Sequence, residues 1–333
     1  MKKIEHLVCT ICWTYNHAPY ITDTMNGFSK QETTFPVIYV IIDDASTDGE
    51  QKFIDNYLLD NFDLNDSSIV QHKETDDYKL VFSQHNTNKN CFFAVLFLKY
   101  NHYSIKKAKR PYYVEWENKA KYLALCEGDD YWIDPLKLQK QVDALEAHPE
   151  LDMCACGAKV TRDNIEISRI SPCSEERVIP TKDVIEGGGG FFATNSLVLR
   201  TSAFKDDSYH FWRLMTLDYT IQILGALRGG VYYLPQCMAV YRSSTQGSWS
   251  QTMDKNQDAC FDHIAKLHQN LCILDYETNF RYTESISKRR VDHYFMLFKC
   301  GIIGSRFDNI FSNLKFSHKV ALILRLIKKM IST

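Results

Sequence analysis

The chain has 333 residues, enough for two domains or for one large α/β domain with an appendage. Apolar residues make up 45% and charged residues 24%, both near the globular average, so the composition excludes disordered, collagen-like and coiled-coil proteins. The formal net charge of −2 argues against a protein that binds nucleic acid through bulk charge.

The 11 cysteines are odd in number and scattered through apolar runs, which is typical of reduced thiols in a cytosol. Cys9 and Cys12 have C-x-x-C spacing, but they lie in a strand-like run. Neighbouring side chains of a strand point to opposite faces, so this pair cannot form the turn of a redox-active motif. The amino-terminal residues lack the features of a secretory signal, and no apolar run is long enough for a transmembrane helix. We therefore predict a cytoplasmic protein.

The first 60 residues alternate predicted strands and helices. Residues 6–13 and 37–42 are continuous apolar runs, typical of buried strands. Helical spacing follows over residues 18–30, and a second helix begins near Asp48 behind good N-cap residues. Fully apolar strands alternating with helices predict an α/β fold whose mostly parallel sheet is covered on both faces.

The later elements are predicted from the same patterns. Residues 73–119 are irregular and polar, and their organisation is not predicted. The predicted elements are strands at 69–72, 122–126, 153–160, 195–199, 231–234 and 238–241, and helices at 91–100, 135–148, 218–227 and from 254 onward.

Polar clusters follow three of the predicted strands, at residues 13–16, 43–49 and 127–130. Ligands of parallel α/β sheets bind beyond the carboxyl ends of the strands, so these clusters predict one site. The adjacent carboxylates of Asp129 and Asp130 repel each other unless a cation neutralises them, and hard oxygen ligands suit Mg²⁺ or Mn²⁺. The alternative for the second cluster is a plain strand-to-helix turn in which Asp44 and Asp48 only cap.

The combined segments resemble family 2 glycosyltransferases of the GT-A (Rossmann-like) fold. The segments are Ile-Cys-Trp-Thr-Tyr-Asn-His-Ala-Pro-Tyr at 11–20, Val-Ile-Ile-Asp-Asp-Ala-Ser-Thr-Asp-Gly at 40–49, and Cys-Glu-Gly-Asp-Asp-Tyr-Trp-Ile-Asp-Pro-Leu-Lys-Leu at 126–138. Leu-Asp-Tyr at 217–219 and Tyr-Arg-Ser-Ser-Thr-Gln-Gly-Ser-Trp-Ser at 241–250 resemble the acceptor-side acid and the "YR…G…WS" segment of that family.

The resemblance implies a role for each matching position. Asp218 matches the general base, Asp44 the carboxylate that accepts the uracil N–H, and Asp130 the direct metal ligand. Asp129 matches the other carboxylate of the metal-binding pair, at a position nearer the ribose or sugar. Tyr15 matches the aromatic residue that lies against the nucleotide base. The other implied contacts to the donor nucleotide are Trp13, Thr14, Asn16 and Ser46.

The chain departs from the family pattern after Arg242, where a histidine is often found and serines follow here. We therefore assign the diphosphate contact to Arg242, with Lys89 as the alternative. The four glycines at 187–190 precede Phe191 and Phe192, which are candidates for stacking on an acceptor sugar together with Trp132; a plain flexible connector is the alternative.

The resemblance implies a glycosyltransferase domain over residues 1–250, with a nucleotide-sugar half to about 135 and an acceptor half from about 136, followed by a helical extension over 251–333. Residues 314–330 combine apolar and basic side chains in a basic amphipathic pattern. Such a helix either lies on an anionic membrane surface or packs on the domain with a solvated basic face. If the helix lies on a membrane surface, the protein is predicted to be peripheral, at the inner face of the cell membrane.

The predicted activity is metal-assisted, inverting transfer of a sugar from a UDP- or dTDP-sugar to a saccharide or lipid-linked acceptor, in surface polysaccharide biosynthesis. Two alternatives are a sugar-phosphate nucleotidyltransferase and a non-catalytic module that binds nucleotide sugars or glycans. A nucleotidyltransferase would have a glycine-rich basic loop after the first strand. Residues 13–19 contain no glycine, lysine or arginine, which argues against this alternative.

Overall fold

The computed structural model describes residues 6–213, 218–243 and 256–299. Its strands and helices alternate through the first 61 residues, as predicted. The strands are β1 (Val8–Thr14), β2 (Val37–Asp43), β3 (Gln71–Glu74), β4 (Tyr78–Gln84), β5 (Cys91–Leu98), β6 (Tyr122–Leu125), β7 (Tyr131–Trp132), β8 (Met153–Arg162), β9 (Ile165–Ile170), β10 (Arg177–Ile179), β11 (Leu197–Arg200) and β12 (Val231–Arg242). The helices are α1 (Ile21–Ser29), α2 (Glu50–Asn61), α3 (Val114–Lys119), α4 (Lys137–Ala147), α5 (Thr181–Gly187), α6 (Asp218–Ala226), α7 (Gln257–Glu277) and α8 (Thr283–Lys299).

The strands form one mixed sheet in the order β10-β12-β8-β11-β6-β1-β2-β5-β4-β3, with β7 paired to β12 and β9 to β8. The central strands β6, β1, β2 and β5 are parallel to their neighbours in that group. Strands β4 and β11 run antiparallel to the strands beside them. The predicted α/β class is confirmed, but the sheet is mixed rather than mostly parallel because antiparallel strands flank its parallel centre.

The register of the parallel strands brings three loops to one edge of the sheet. Thr14, the last residue of β1, is paired with Asp43, the last residue of β2. On the other side of β1, Ile11 pairs with Leu125 at the end of β6. The polar clusters that follow β1, β2 and β6 therefore emerge at the same edge, as the sequence predicts.

The core lies between this sheet and its helices. Every residue of β2 and β5 is buried, which is the pattern of strands covered on both faces. In α1, Phe28 stacks on Tyr39 of β2 with ring centroids 4.8 Å apart. Full burial of one such side chain stabilises the fold by about 1.5–3 kcal/mol. Cys9 and Cys12 are buried free thiols in β1, in agreement with the sequence prediction.

The helix predicted over residues 91–100 is wrong. Cys91–Leu98 forms β5, parallel to β2 and antiparallel to β4. A short continuous apolar run fits either a buried helix or a strand with two covered faces, so its periodicity does not distinguish them. The three phenylalanines and one valine in this run favour the strand.

Other elements differ from the predictions in extent. The strand predicted at 69–72 begins later, as β3, and is followed by the unpredicted strand β4. The two strands predicted at 231–234 and 238–241 are one strand, β12, interrupted by register shifts around Cys237. Helices α1, α4 and α6 lie where the spacing predicts them.

The chain divides into two compact units, each built from separate segments. The first unit comprises Met1–Val178, Phe192–Lys205 and Arg228–Ser243 and contains most of the sheet. The second comprises Ile179–Phe191, Asp206–Leu227 and Ser244–Thr333, and its described part includes α5, α6, α7 and α8. The predicted domain boundary at residue 250 stays a prediction.

Within residues 6–213, 218–243 and 256–299, no helix combines the length and the apolar character that crossing a membrane requires. The basic amphipathic segment predicted at 314–330 lies outside the described residues, as do Leu217 and the end of the segment at 241–250.

Candidate functional site

The loop after β1 presents an aromatic ring to solvent. Tyr15 is 42% exposed, whereas its neighbour Thr14 is buried. Asn16 has a left-handed backbone (φ 58°), a conformation that asparagine tolerates better than most residues. Its N–H donates to Ser46 Oγ at 2.9 Å, and its Oδ1 accepts from the Thr47 N–H at 2.8 Å. The loop is thus fixed to the loop after β2, with the Tyr15 ring on its exposed side.

Glu50, the first residue of α2, joins these two loops and was missed by the sequence analysis. It is fully buried. Its Oε2 accepts from the His17 N–H and from Ser46 Oγ, each at 2.8 Å, and Thr14 Oγ1 donates to Oε1. The sequence feature that could have identified Glu50 is an acidic residue in the first turn of a helix that directly follows a strand. Glu50 therefore positions the side chains that the sequence analysis assigned to donor binding.

Asp48 has the capping role that the sequence analysis gave as an alternative. Its Oδ1 accepts from the Glu50 N–H at 3.0 Å, at the start of α2. Its Oδ2 accepts from the Ala18 N–H at 2.9 Å. Asp48 thus caps the helix and also holds the loop that follows β1.

Two carboxylates at the end of β2 are buried in different surroundings. Burial raises the pKa of Asp43 to about 6, against hydrogen bonds from Ser46 and Gln51. Asp44 is 2% exposed, and its N–H donates to Thr14 O at 3.0 Å. Its carboxylate accepts hydrogen bonds from the segment 102–109, which covers it. Asp44 therefore lies beside the β1 loop, as predicted, within a network that the sequence did not indicate.

The acidic loop after β6 packs tightly on β1. The Gly128 N–H donates to Trp13 O at 2.9 Å. A Cβ at Gly128 would lie 2.0 Å from Thr14 Oγ1, so only glycine fits there. Thr24 Oγ1, from α1, donates to Gly128 O at 2.9 Å and to Asp130 O at 2.6 Å. These contacts fix the backbone that carries the Asp129 and Asp130 carboxylates.

The two carboxylates differ in environment. Asp130 is 1% exposed, and its Oδ1 accepts from the Arg242 N–H at 2.8 Å. Burial, and then the neighbouring charge of Asp129, raise the pKa of Asp130 well above its ordinary value. Asp129 Oδ2 lies 3.9 Å from His17 Nε2. A nearby cation would relieve the cost of ionising Asp130 in this position.

Arg242, the predicted diphosphate contact, clamps the acidic loop. Its Nη1 donates to Asp129 O at 2.7 Å and its Nη2 to Asp23 at 2.5 Å. The guanidinium lies 4.3 Å from the centre of the Tyr131 ring, and the residue is 6% exposed. Both terminal nitrogens are thus engaged within the protein, and this placement favours a structural role over contact with a diphosphate.

Asp129 and Asp130 supply two carboxylates, the type of ligand that a hard divalent cation binds. Mg²⁺ commonly takes one or two carboxylates and completes its shell with substrate phosphates and water. The described part of the chain contains no group of three or more His, Cys, Asp or Glu side chains arranged as metal ligands. A cation at this pair would therefore depend on ligands from the substrate.

The residues assigned to the acceptor side lie in different surroundings. Asp218 is exposed at the first position of α6, in the second unit. In the same unit Tyr219 donates to Ile185 O at 2.6 Å, and Gln222 Nε2 donates to Gly189 O at 3.0 Å. The first bond connects α6 to α5, and the second connects it to the glycine segment, which Phe191 follows as a half-buried residue.

Two aromatic residues assigned to the acceptor are core residues. Trp132 is 3% exposed, and its Nε1 donates to Asn195 O at 2.8 Å. Its ring lies 4.9 Å from that of Phe28 and 4.2 Å from Lys137 Nζ. Phe192 is 1% exposed. These positions do not favour stacking of either ring on a sugar.

The first unit thus brings together most of the predicted donor residues. The loops after β1 and β2 share direct hydrogen bonds, and the acidic loop is bonded to β1. Asp218 and Phe191 belong to the second unit. The donor residues of the first unit are Trp13, Thr14, Tyr15, Asn16, Asp44, Ser46, Asp129 and Asp130.

No family model matches the chain. Its curated relatives include the uncharacterized proteins Mb1547 of Mycobacterium bovis and Rv1520 of Mycobacterium tuberculosis. Each is 32% identical over 237 residues, which is 71% of this chain and 58% of the relative. The chain therefore spans less than two thirds of the length of these relatives.

The chain resembles solved structures. Mannosyltransferase PcManGT from Pyrobaculum calidifontis, in complex with GDP-Man and Mn²⁺, matches with a TM-score of 0.50 and 11% identity over 98% of this chain and 81% of that one. S. aureus TarS 1–349 with UDP-GlcNAc matches with a TM-score of 0.49 and 14% identity over 91% and 83%. The similarity to the mannosyltransferase shows that this chain has a glycosyltransferase fold, as predicted. Membership of family 2 stays a prediction.

Proposed function

We propose that this protein is a metal-dependent, inverting glycosyltransferase of family 2 that uses a UDP- or dTDP-sugar. One observation carries the proposal: an exposed aromatic ring, Tyr15, and the buried carboxylates Asp44 and Asp130 follow adjacent strand ends of one sheet. A nucleotide sugar needs a surface for its base and an acidic, cation-binding place for its diphosphate. The complex of the mannosyltransferase with GDP-Man and Mn²⁺ supports the same substrate class and cofactor.

Each part of the donor has a matching group in the first unit. The exposed ring of Tyr15 suits stacking on the base, which is a general mode of base binding. The Asp44 carboxylate accepts N–H donors, as it does within the chain. Asp129 and Asp130 would hold Mg²⁺ or Mn²⁺ against the diphosphate. When bound, the cation supplies charge stabilisation for the departing nucleoside diphosphate.

Asp218 is proposed as the general base. Its exposed position at the first residue of α6 leaves it reachable by an acceptor hydroxyl. A hydroxyl is a weak nucleophile, and a carboxylate that takes its proton contributes typically 10²- to 10⁴-fold to the rate. Direct attack of the hydroxyl opposite the leaving diphosphate inverts the anomeric centre. We propose a saccharide or lipid-linked acceptor and a role in surface polysaccharide biosynthesis.

Thermal unfolding with a panel of nucleotide sugars tests the donor proposal. The panel is UDP-glucose, UDP-GlcNAc, UDP-galactose, dTDP-rhamnose and GDP-mannose, each with and without Mn²⁺. A ligand that binds the folded state raises the unfolding temperature, so at least one uridine or thymidine sugar should do so only with Mn²⁺. No shift with any uridine or thymidine sugar would contradict the donor assignment.

Variants of the two proposed acidic sites separate binding from turnover. Asp130→Asn should remove the Mn²⁺ dependence of donor binding, whereas Asp143→Asn, at an exposed position on α4, should leave it intact.

Asp218→Asn should lower the rate at which UDP is released from the donor by about 10²-fold or more and leave donor affinity unchanged. Asp207→Asn, also exposed and in the second unit, is its matched control. Tight binding without any turnover in the wild type would favour the non-catalytic module.

A further inference from the structure

His17 lies in the loop after β1, where its ring faces the acidic loop that follows β6. Its Nε2 lies 3.9 Å from Asp129 Oδ2. A Cβ at Gly128 would lie 3.1 Å from His17 Nδ1, so the ring packs closely on the backbone of the acidic loop. The side chains of His17 and Asp129 are 19% and 14% exposed, so both are accessible from solvent. The imidazole therefore lies beside the carboxylate pair that is proposed to hold the cation.

The hydrogen bonds around this ring determine which of its nitrogens carries the hydrogen. His17 Nδ1 and Thr14 Oγ1 are 3.2 Å apart. The Thr14 hydroxyl has one hydrogen, and it donates that hydrogen to Glu50 Oε1. Thr14 Oγ1 is therefore the acceptor of the contact, and His17 Nδ1 is its donor. A neutral imidazole carries one N–H, so Nε2 keeps its lone pair on the side of Asp129.

A support of this kind is typical of metal-binding histidines. A ligating imidazole almost always donates its second ring N–H to a partner that fixes the orientation of the ring. Thr14 is that partner here, and it is itself held by Glu50. Glu50 Oε2 also accepts from the backbone N–H of His17 at 2.8 Å, and Glu50 is fully buried. The ring is thus held at two points, with Nε2 directed toward Asp129.

The separation of the two side chains suits a shared cation. Two acceptor atoms that face each other have no hydrogen to share, whereas a cation binds both of them. Two ligand atoms of one octahedral ion lie about 3 Å apart when adjacent and about 4 Å apart when opposite. The 3.9 Å between His17 Nε2 and Asp129 Oδ2 falls within that span. These two side chains therefore offer a nitrogen and an oxygen ligand to the same ion.

We propose that His17 is a ligand of the cation and that its nitrogen makes the site prefer Mn²⁺ or Co²⁺ to Mg²⁺. This inference rests on the proposed function, and it adds a nitrogen ligand to the carboxylate pair. Mg²⁺ prefers oxygen ligands, whereas imidazole suits transition metals. The affinity of a site with nitrogen and oxygen ligands also rises from Mn²⁺ to Co²⁺. Removal of the His17 nitrogen should therefore weaken the binding of these two ions more than that of Mg²⁺.

His17 has a simpler alternative role, as an imidazolium that pairs with Asp129 or contacts the diphosphate. A protonated ring carries a hydrogen on both nitrogens and has no lone pair for a metal ion. His17→Lys keeps a positive charge at this position and removes the imidazole lone pair. His17→Asn keeps an N–H donor for Thr14 Oγ1 and removes Nε2. The metal affinity of these two variants therefore distinguishes ligation from ion pairing.

Calorimetric titration of Mg²⁺, Mn²⁺ and Co²⁺ at a fixed concentration of UDP tests the inference. Each ion is titrated into the wild type, His17→Asn, His17→Lys and His72→Gln. His72 is the matched control because it is an exposed histidine on β3 in the same unit. Both His17 variants should lose at least about tenfold in affinity for Mn²⁺ and Co²⁺, an effect typical even of residues behind a ligand, and should lose less for Mg²⁺. His72→Gln should bind all three ions as the wild type does.

Pulsed electron paramagnetic resonance of the wild type with Mn²⁺ and UDP detects the proposed bond directly. A bound imidazole couples its nitrogen nucleus to the electron spin of Mn²⁺. We expect this nitrogen coupling in the wild type and in His72→Gln, and we expect its loss in His17→Asn. If the His17 variants do not fold, the spectrum of the wild type still tests the inference.

A wild-type Mn²⁺ complex without nitrogen coupling would overturn the inference, and so would unchanged Mn²⁺ affinity in His17→Asn. Wild-type Mn²⁺ affinity in His17→Lys would identify an ion pair instead of a ligand. Equal loss of affinity for all three ions would indicate a structural role and would also contradict ligation. A wild type that binds no Mn²⁺ in the presence of UDP contradicts the proposed function itself, so the two failures are distinguishable.

Discussion

Gly128 links the candidate metal pair to the donor loop, because its missing side chain is what allows the two loops to meet. Its N–H reaches Trp13 O at 2.9 Å, and Thr14 occupies the space where a Cβ would lie. Thr14 in turn donates to Glu50, which holds the loop after β2. The contacts at this one position therefore connect all three loops of the site.

We predict that Gly128→Ala impairs both stability and donor binding. The added Cβ would lie 2.0 Å from Thr14 Oγ1 and 2.5 Å from Thr14 Cβ, so the backbone of one loop must move. Forcing extra volume into a packed site costs about 1–3 kcal/mol. We expect a lower unfolding temperature, measured by calorimetry, and loss of the stabilisation by a uridine sugar with Mn²⁺.

Gly190→Ala is the matched control for this substitution, because a Cβ at Gly190 meets nothing within 4 Å. This variant should unfold close to the wild type. Equal stability and donor binding in the two alanine variants would contradict the close approach at Gly128.

The site was only partly predictable from individual residues. Tyr15 and Asp130 follow strand-like runs, and polar residues at such ends gather at one edge of the sheet for topological reasons. The roles of Arg242 and Trp132 depend on long-range contacts, to the acidic loop and to Asn195, which no local pattern contains. Glu50 was missed because an acidic residue in a first helical turn is ordinarily a capping residue.

At the scale of elements, the strand β5 shows where periodicity is insufficient. Cys91–Leu98 is apolar at every position, so neither a period of 2 nor one of 3.6 residues is visible. The alternation that identifies a half-exposed strand disappears when both faces are covered. By contrast, the amphipathic pattern of α4 predicted its helix to within a few residues, since only one face of that helix is buried.

Helices α7 and α8 in the second unit enclose a pair of histidines. His268 Nε2 and His293 Nδ1 are 3.2 Å apart, and the rings stack with centroids 5.3 Å apart. Burial, and then the charge of Arg290, lower the pKa of His268 to about 3. Burial likewise lowers the pKa of His293 well below its ordinary value. Both rings are therefore neutral in the folded helices at neutral pH.

This pair predicts acid sensitivity of the folded protein. Between about pH 3 and 6.5 the unfolded chain binds a proton at His268 that the folded chain does not, so the free energy of unfolding falls as pH decreases below about 6.5. The contribution of this one group is about 2 kcal/mol at pH 5. Chemical denaturation at pH 7.5 and at pH 5 should show the difference in the wild type and a smaller one in His268→Gln.

His72→Gln is the control for the buried histidine, since His72 is exposed on β3. It should retain the pH dependence of the wild type. The same dependence in His268→Gln would show that other groups cause the acid sensitivity.

At the scale of the whole molecule, local pattern and chain connectivity contribute differently. The β-α-β-α order of the first 61 residues follows from local hydrophobic runs, and it was predicted. The second unit combines Ile179–Phe191 and Asp206–Leu227 with the later helices, and its segments are far apart in the chain. Periodicity describes neighbours in sequence, so it contains no information on which distant segments pack together.

The division into two units gives a prediction about where the donor acts. The proposed donor groups all belong to the first unit, whereas α7 and α8 belong to the second. A bound ligand slows backbone amide exchange most where it fixes the loops that contact it. Hydrogen–deuterium exchange with and without UDP and Mn²⁺ should therefore show protection at residues 13–17, 44–49 and 127–130, with amides of α7 and α8 exchanging as before. Protection confined to α7 and α8 would place the nucleotide in the second unit and contradict the donor site at the carboxyl ends of β1, β2 and β6.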